Sequence, residues 1–196
     1  KDAIHILSYI PVYPMACYKQ SWLLHKAGEE AEAIQLIKNA DILPVNQVFP
    51  FRPENREALA WVAAHSNSWK PAYYYALICH ANHDKAKALE IVENCGEADY
   101  IPFYLYRASL KKGAEQLDDL QKAARLGNNW RTGFSLIKYY TGIENWKEAN
   151  IIAAHYYKLF PENYMIGLQY AKTLCETEQY ARAISLLEKI QVLPNE

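Results

Sequence analysis

His80 and His83 are three residues apart and flanked by Cys79 and Asp84. A helix through them would put both imidazoles on one face, a spacing that suits a metal ion. Catalytic zinc takes three protein ligands and structural zinc four. No third histidine or paired cysteine stands at an interpretable distance, so Cys79 reads as core, His80 and His83 as solvated residues at a helix end, and no metal is expected. Glu29, Glu30 and Glu32 gather near one turn, where adjacent carboxylates form a solvated face. The chain has no GxSxG, phosphate-cradling glycine loop or dinucleotide fingerprint. Catalysis needs a positioned acid, base or nucleophile. No catalytic residue and no cofactor is therefore assigned, and the chain is not expected to be an enzyme.

What remains for chemistry is aromatic and basic. Sixteen tyrosines and five tryptophans include the runs Tyr73–Tyr75, Tyr139–Tyr140 and Tyr156–Tyr157. Neighbours on a helix point in different directions, so at least one ring of each run packs inward. Tyr140 and Tyr156 are expected in the core, and Tyr73 is expected to face a groove. The 21 basic and 22 acidic side chains leave a net charge of −1. That balance excludes a general nucleic-acid binder, whose affinity rests on a basic surface. No apolar run reaches the roughly 18–20 residues of a membrane span. Cys17, Cys79, Cys95 and Cys175 are widely spaced within apolar helical runs. They read as reduced, small hydrophobes, which favours the cytoplasm. A start at Lys1 with no signal-peptide pattern is what a piece of a larger protein would show.

The elements that must position these groups are helices, because apolar residues recur at helical spacing and no segment alternates as a strand does. Residues 2–7 read as the end of a helix closed by Pro11 and Pro14. A hairpin follows from Met15 to Ala40, with Gly28 at its turn. Pro44, Pro50 and Pro53 around Val45, Val48, Phe49 and Phe51 predict an extended, partly buried connection over 41–53. Glu54 to His65 is then a lone helix, and pairing resumes at Trp69. The reading is one all-α domain over 1–196, with units at 14–47, 48–68 (irregular), 69–97, 98–128, 130–161 and 164–196.

The last two units repeat, at a period of about 34 residues. Trp130, Trp146 and Ala149 recur one period later as Tyr164, Tyr180 and Ala183, and Pro161 recurs slightly early as Pro194. Ala33, Ala88, Ala149 and Ala183 take the mid-unit position, while Ala76 and Ala171 stand in the first helix of their pairs. These residues resemble the tetratricopeptide repeat (TPR) family over nearly the whole chain. The resemblance implies an α-solenoid of antiparallel helix pairs. Ile137 departs from it, standing where a small residue is expected, and the 98–127 unit lacks a clear aromatic position. The hairpin, the break at 41–53, the lone helix and Trp69-Lys70-Pro71-Ala72-Tyr73-Tyr74 also look like the helical half of certain large bacterial proteins. There a β-sandwich region, sometimes with carbohydrate-related associations, precedes the repeats.

In the TPR family the first helix of each pair lines a concave face. Carried over by position, that implies Lys70, Tyr73, Leu77 and His80 from one unit. Arg131, Phe134 and Lys138 come from the next clean unit, and Met165, Leu168 and Lys172 from the last. Tyr18, Trp22 and His25 come from the first. Such a face suits a protein or peptide partner with an acidic group or a terminal carboxylate. The expected function is therefore a non-catalytic interaction scaffold, with no nucleic acid and no membrane. The alternative is an accessory module packing against a neighbouring domain of the same parent chain.

Overall fold

A computed structural model describes residues 13–46, 48–50 and 52–190. The expectations for residues 2–7, Pro11, Phe51 and Pro194 lie outside them. Among the described residues the chain is all-α. It falls into two compact units, Lys1–Ala98 and Asp99–Glu196. None of the described helices is long and apolar enough to cross a membrane.

In the first unit, α1 (Pro14–Lys26) and α2 (Glu30–Asp41) form a hairpin. A 3-10 turn (Pro53–Asn55) leads into α3 (Arg56–His65), which packs on α1 and α4 (Trp69–Ala81). The helix α4 then pairs with α5 (Lys85–Asn94). Pro14 opens α1, where its missing N–H is one the helix would leave unpaired anyway. The first residues of the expected 54–65 helix belong to the 3-10 turn.

Among its described residues, the segment between α2 and the 3-10 turn forms no regular element, as its prolines favour, and turns at Leu43 and Val48, whose amides reach the carbonyls of Ala40 and Val45. Val48 and Pro50 are buried and Phe49 is exposed. Polar groups fasten its start. Tyr18 Oη donates to Asp41 Oδ1 at 2.8 Å and Ser66 Oγ donates to Asp41 Oδ2 at 2.7 Å. Burial, reinforced by that carboxylate, pushes the Tyr18 phenol well above its ordinary range, so it stays a donor.

The second unit is three hairpins: α6 (Ile101–Leu110) with α7 (Gly113–Leu126), α8 (Trp130–Gly142) with α9 (Trp146–Leu159), and α10 (Tyr164–Glu176) with α11 (Tyr180–Leu187). Asparagine side chains cap three of its helices. Asn129 accepts from the Arg131 amide at 2.9 Å, Asn145 from Glu148 at 3.2 Å and Asn163 from Ile166 at 3.2 Å.

Four hairpins across the two units share one turn. Gly28, His83, Glu144 and Glu178 all adopt left-handed backbone, with φ of 86°, 64°, 58° and 59°. In each, the next amide reaches the carbonyl five residues back: Glu29 to Leu24, Asp84 to Cys79, Asn145 to Tyr140 and Gln179 to Leu174, at 2.8–3.0 Å. This satisfies helix-end carbonyls at the cost of a left-handed residue, and the shared bond outweighs the steric penalty even where the residue is not glycine. His83 is therefore outside α4 and does not share a helical face with His80.

Close helix approach explains the small residues. Ala33, Ala88, Ala149 and Ala183 are all buried where paired helices meet. The tightest points were not among those expected. A Cβ on Gly133 would lie 2.3 Å from Cγ of Tyr156, and one on Gly167 would lie 2.7 Å from Cδ1 of Ile190. The two glycines stand one repeat apart, and so do the two side chains that cover them. Ile137 can be large because the backbones meet at Gly133, and it fills the core instead. Cys175, expected within an apolar run, is exposed.

Two glycines of α8 make a direct test. Gly133→Ala is expected to destabilise by about 1–3 kcal/mol through overpacking, although alanine is the better helix former. Gly142→Ala has open space around it and is expected to stabilise by about 0.5 kcal/mol. Urea midpoints of the two variants should move in opposite directions.

Candidate functional site

Arg131, Phe134 and Lys138 stand at i, i+3 and i+7 on α8, so they form one stripe. Met165, Leu168 and Lys172 form the same stripe one repeat later on α10, and α8 and α10 are in contact. Arg131, Lys138, Leu168 and Lys172 are exposed, and Phe134 and Met165 are half-buried. Two adjacent helices thus present one wall of cations interleaved with apolar side chains.

The cations are held over rings. Arg131 lies 4.5 Å from the centroid of Trp130, Lys138 5.6 Å from Phe134 and Lys172 5.5 Å from Trp146. Such contacts are worth roughly 0.5–1 kcal/mol at exposed sites. They leave the outer faces of the cations to solvent or to an anion.

Beside the wall, a groove of about 470 Å³ opens between α8 and the α6–α7 hairpin. Leu105, Leu120, Phe134 and Tyr139 make its apolar lining, and Gln116, Ser135 and Lys138 its polar one. Gly113 at the start of α7 is also part of the lining, and a helix start carries partial positive charge. The site therefore combines a partly apolar groove with a positive rim.

No protein-family model and no curated protein matches the sequence. Solved structures do resemble the fold. The nearly identical TPR-like repeats of a kinesin-light-chain-like protein of Podosopora anserina superpose with a TM-score of 0.51 at 14% identity, covering 90% of this chain and 93% of that one. A single-substitution variant of the same protein gives 0.50 over the same shares. The fold is TPR-like. At 14% identity that likeness concerns the fold alone.

Within this TPR-like fold, the residues expected on the concave face divide by unit. Arg131, Phe134, Lys138, Met165 and Lys172 come together on the α8–α10 wall. Most of those of the first unit are otherwise engaged. Lys70 Nζ donates to the backbone carbonyls of Asp41 at 2.7 Å and Leu43 at 2.6 Å, so its charge closes the end of α2. Tyr73 is buried rather than groove-facing, as is Tyr18. Trp22 is half-buried beneath Lys19 and Lys26, at 4.3 and 5.5 Å. His25 stacks on Trp61 at 4.4 Å. His80 is exposed on α4. Asp84 caps α5 through the Lys87 amide and pairs with Arg56 at 2.8 Å. Among the described residues, no three histidine, cysteine or acidic side chains gather where they could hold a metal.

The strongest electrostatic feature of the second unit was not among the expected ones. The Asp119 carboxylate on α7 takes Nε and Nη2 of Arg107 on α6 at 2.6–3.0 Å, and Lys111 lies 3.3 Å away. Only 1% of the Asp119 side chain and 7% of that of Arg107 is exposed. The guanidinium also lies 5.1 and 5.2 Å from the rings of Phe103 and Tyr104. The available signal was register, since both charges interrupt otherwise apolar buried stripes. This triad fixes α6 against α7 and so fixes two walls of the groove.

Removing one partner strands a buried charge. Asp119→Asn is expected to cost about 3–5 kcal/mol. Asp118→Asn breaks only the exposed pair with Lys122, 3.3 Å long, and should cost less than about 1 kcal/mol. Guanidinium denaturation followed by circular dichroism distinguishes the two.

Proposed function

We propose that the chain is a non-catalytic interaction scaffold that holds a peptide segment on the α8–α10 wall. The segment inserts an apolar side chain into the groove lined by Leu105, Leu120 and Phe134. It places an acidic group or terminal carboxylate against Lys138, with Arg131 and Lys172 extending the charge along the wall. One observation carries this reading: Phe134 and Lys138 belong both to the repeated stripe and to the lining of the groove. Anchor and charge are thus supplied within about one turn of one helix. The TPR-like fold supports it, because stacked helix pairs expose extended surfaces suited to binding.

The energetics assign different roles to the two kinds of residue. Exposed charges are screened over a Debye length of about 8 Å at physiological ionic strength, so each cation contributes modestly. Together they raise the association rate and make it depend on salt. The ring in the groove removes apolar area from water and carries more of the affinity.

The test is titration of fluorescent peptides, selected from a random library on the wild-type chain. Phe134→Ala is expected to weaken binding about tenfold, which is about 1.4 kcal/mol. Each single cation reversal should weaken it less. The triple variant Arg131→Gln, Lys138→Gln, Lys172→Gln should abolish the salt dependence. Selected peptides that bind this triple variant and Phe134→Ala as tightly as wild type would move the site off the wall.

A further inference from the structure

Gln116 interrupts the buried stripe of α7. It stands at i to Leu120 at i+4 and Ala123 at i+7, and both of those side chains are in the core. Gln116 is half-buried and lines the groove beside Leu120. Among the described residues, its amide makes no hydrogen bond. Ser135, on the α8 side of the same groove, is also half-buried. Other helical hydroxyls turn back to the carbonyl three residues earlier, as those of Ser21, Ser109, Thr141 and Thr173 do at 2.6–3.1 Å. The Ser135 hydroxyl does not, and among the described residues it too is unpaired.

Two unpaired polar groups beside apolar side chains discriminate among ligands. A side chain that enters the groove displaces water from both, at a cost unless it restores their hydrogen bonds. Leucine or phenylalanine would cover the two groups and restore nothing. An indole N–H only donates, and a carboxylate only accepts. The amide of Gln116 and the hydroxyl of Ser135 each donate and accept, and so does a phenol. A phenol also carries its hydroxyl at the far end of an apolar ring, which suits a lining of Leu105, Leu120 and Phe134. Leu120 and Gln116 are four residues apart on α7, about 6 Å along the helix. One tyrosine side chain can therefore lay its ring on the first and its hydroxyl on the second.

We infer that the groove selects a tyrosine side chain of the bound peptide, and that Gln116 and Ser135 determine this specificity by pairing with the phenol hydroxyl. The inference rests on the peptide reading above and names the side chain that the groove takes. Lys138 and the other cations of the wall remain for the peptide's acidic group.

The probe is a random peptide library selected on the wild-type chain. In the winning peptide, the anchor is the position whose alanine substitution weakens binding most, and it should be tyrosine. The peptide is then remade with phenylalanine at that position. Wild type should bind the tyrosine form about tenfold more tightly, as expected for one hydrogen bond whose loss leaves a covered group unpaired. Gln116→Met, similar in length but without the amide, should bind the two forms equally, and Ser135→Ala should narrow the difference. Urea midpoints of both variants should match wild type, because neither side chain pairs with anything in the free chain. Peptides that need Phe134 yet bind equally well with tyrosine or phenylalanine would overturn this inference and leave the wall standing. So would a tyrosine preference that survives Gln116→Met combined with Ser135→Ala. Selected peptides indifferent to Phe134→Ala would overturn the wall and the tyrosine specificity together.

Discussion

The second unit depends on how closely α8 and α9 approach. At Gly133 there is no room for even a methyl group, because the Tyr156 ring occupies the position where Cβ would be. That contact sets the spacing of the pair, and the pair sets the direction in which α8 presents its outer stripe. The same relation between Gly167 and Ile190 sets α10. Because both contacts recur with the period of the repeat, the two stripes fall in register. Interiors are close-packed, so spacing of this kind is discrete rather than adjustable.

A second constraint acts on the other side of the groove. The α6–α7 hairpin does not use the turn shared by the four other hairpins, and its connection is only Lys111 and Lys112 before α7 begins at Gly113. Its geometry is held by the Arg107–Asp119–Lys111 cluster. A buried ion pair is weak evidence for stability, because desolvation offsets most of the attraction. Its clearer consequence here is positional, since a bidentate guanidinium–carboxylate pair admits few arrangements of the two helices. Leu105 on α6 and Leu120 on α7 are thereby held in the groove that Phe134 also lines.

Much of the fold was legible because period and small residues are written directly in the sequence. The mid-unit alanines, the turn at Gly28 and the break in the helices after Asp41 follow from spacing and from proline chemistry. Gly133 and Gly167 were equally visible as a pair one repeat apart, yet a glycine inside a helix reads first as a weak helix former. Tyr73 was misplaced for a different reason. The helix α4 meets α1, α3 and α5, and the Tyr73 ring packs against those of Trp69 and Tyr74 instead of facing a groove. Lys70 could not have been read at all, because its partners are backbone carbonyls and leave no mark on the sequence. On α8 and α10, where the repeat is regular, positional transfer brought the predicted residues together.

Hydrogen–deuterium exchange locates a peptide on the α8–α10 wall and its groove most directly. With a library-selected acidic peptide at saturation, exchange should slow over the second halves of α6 and α8, around residues 105–110 and 134–143. The 42–50 segment and α3 should be unchanged. Protection confined to the first unit, with residues 134–143 exchanging as in the free chain, would contradict a peptide seated on this wall.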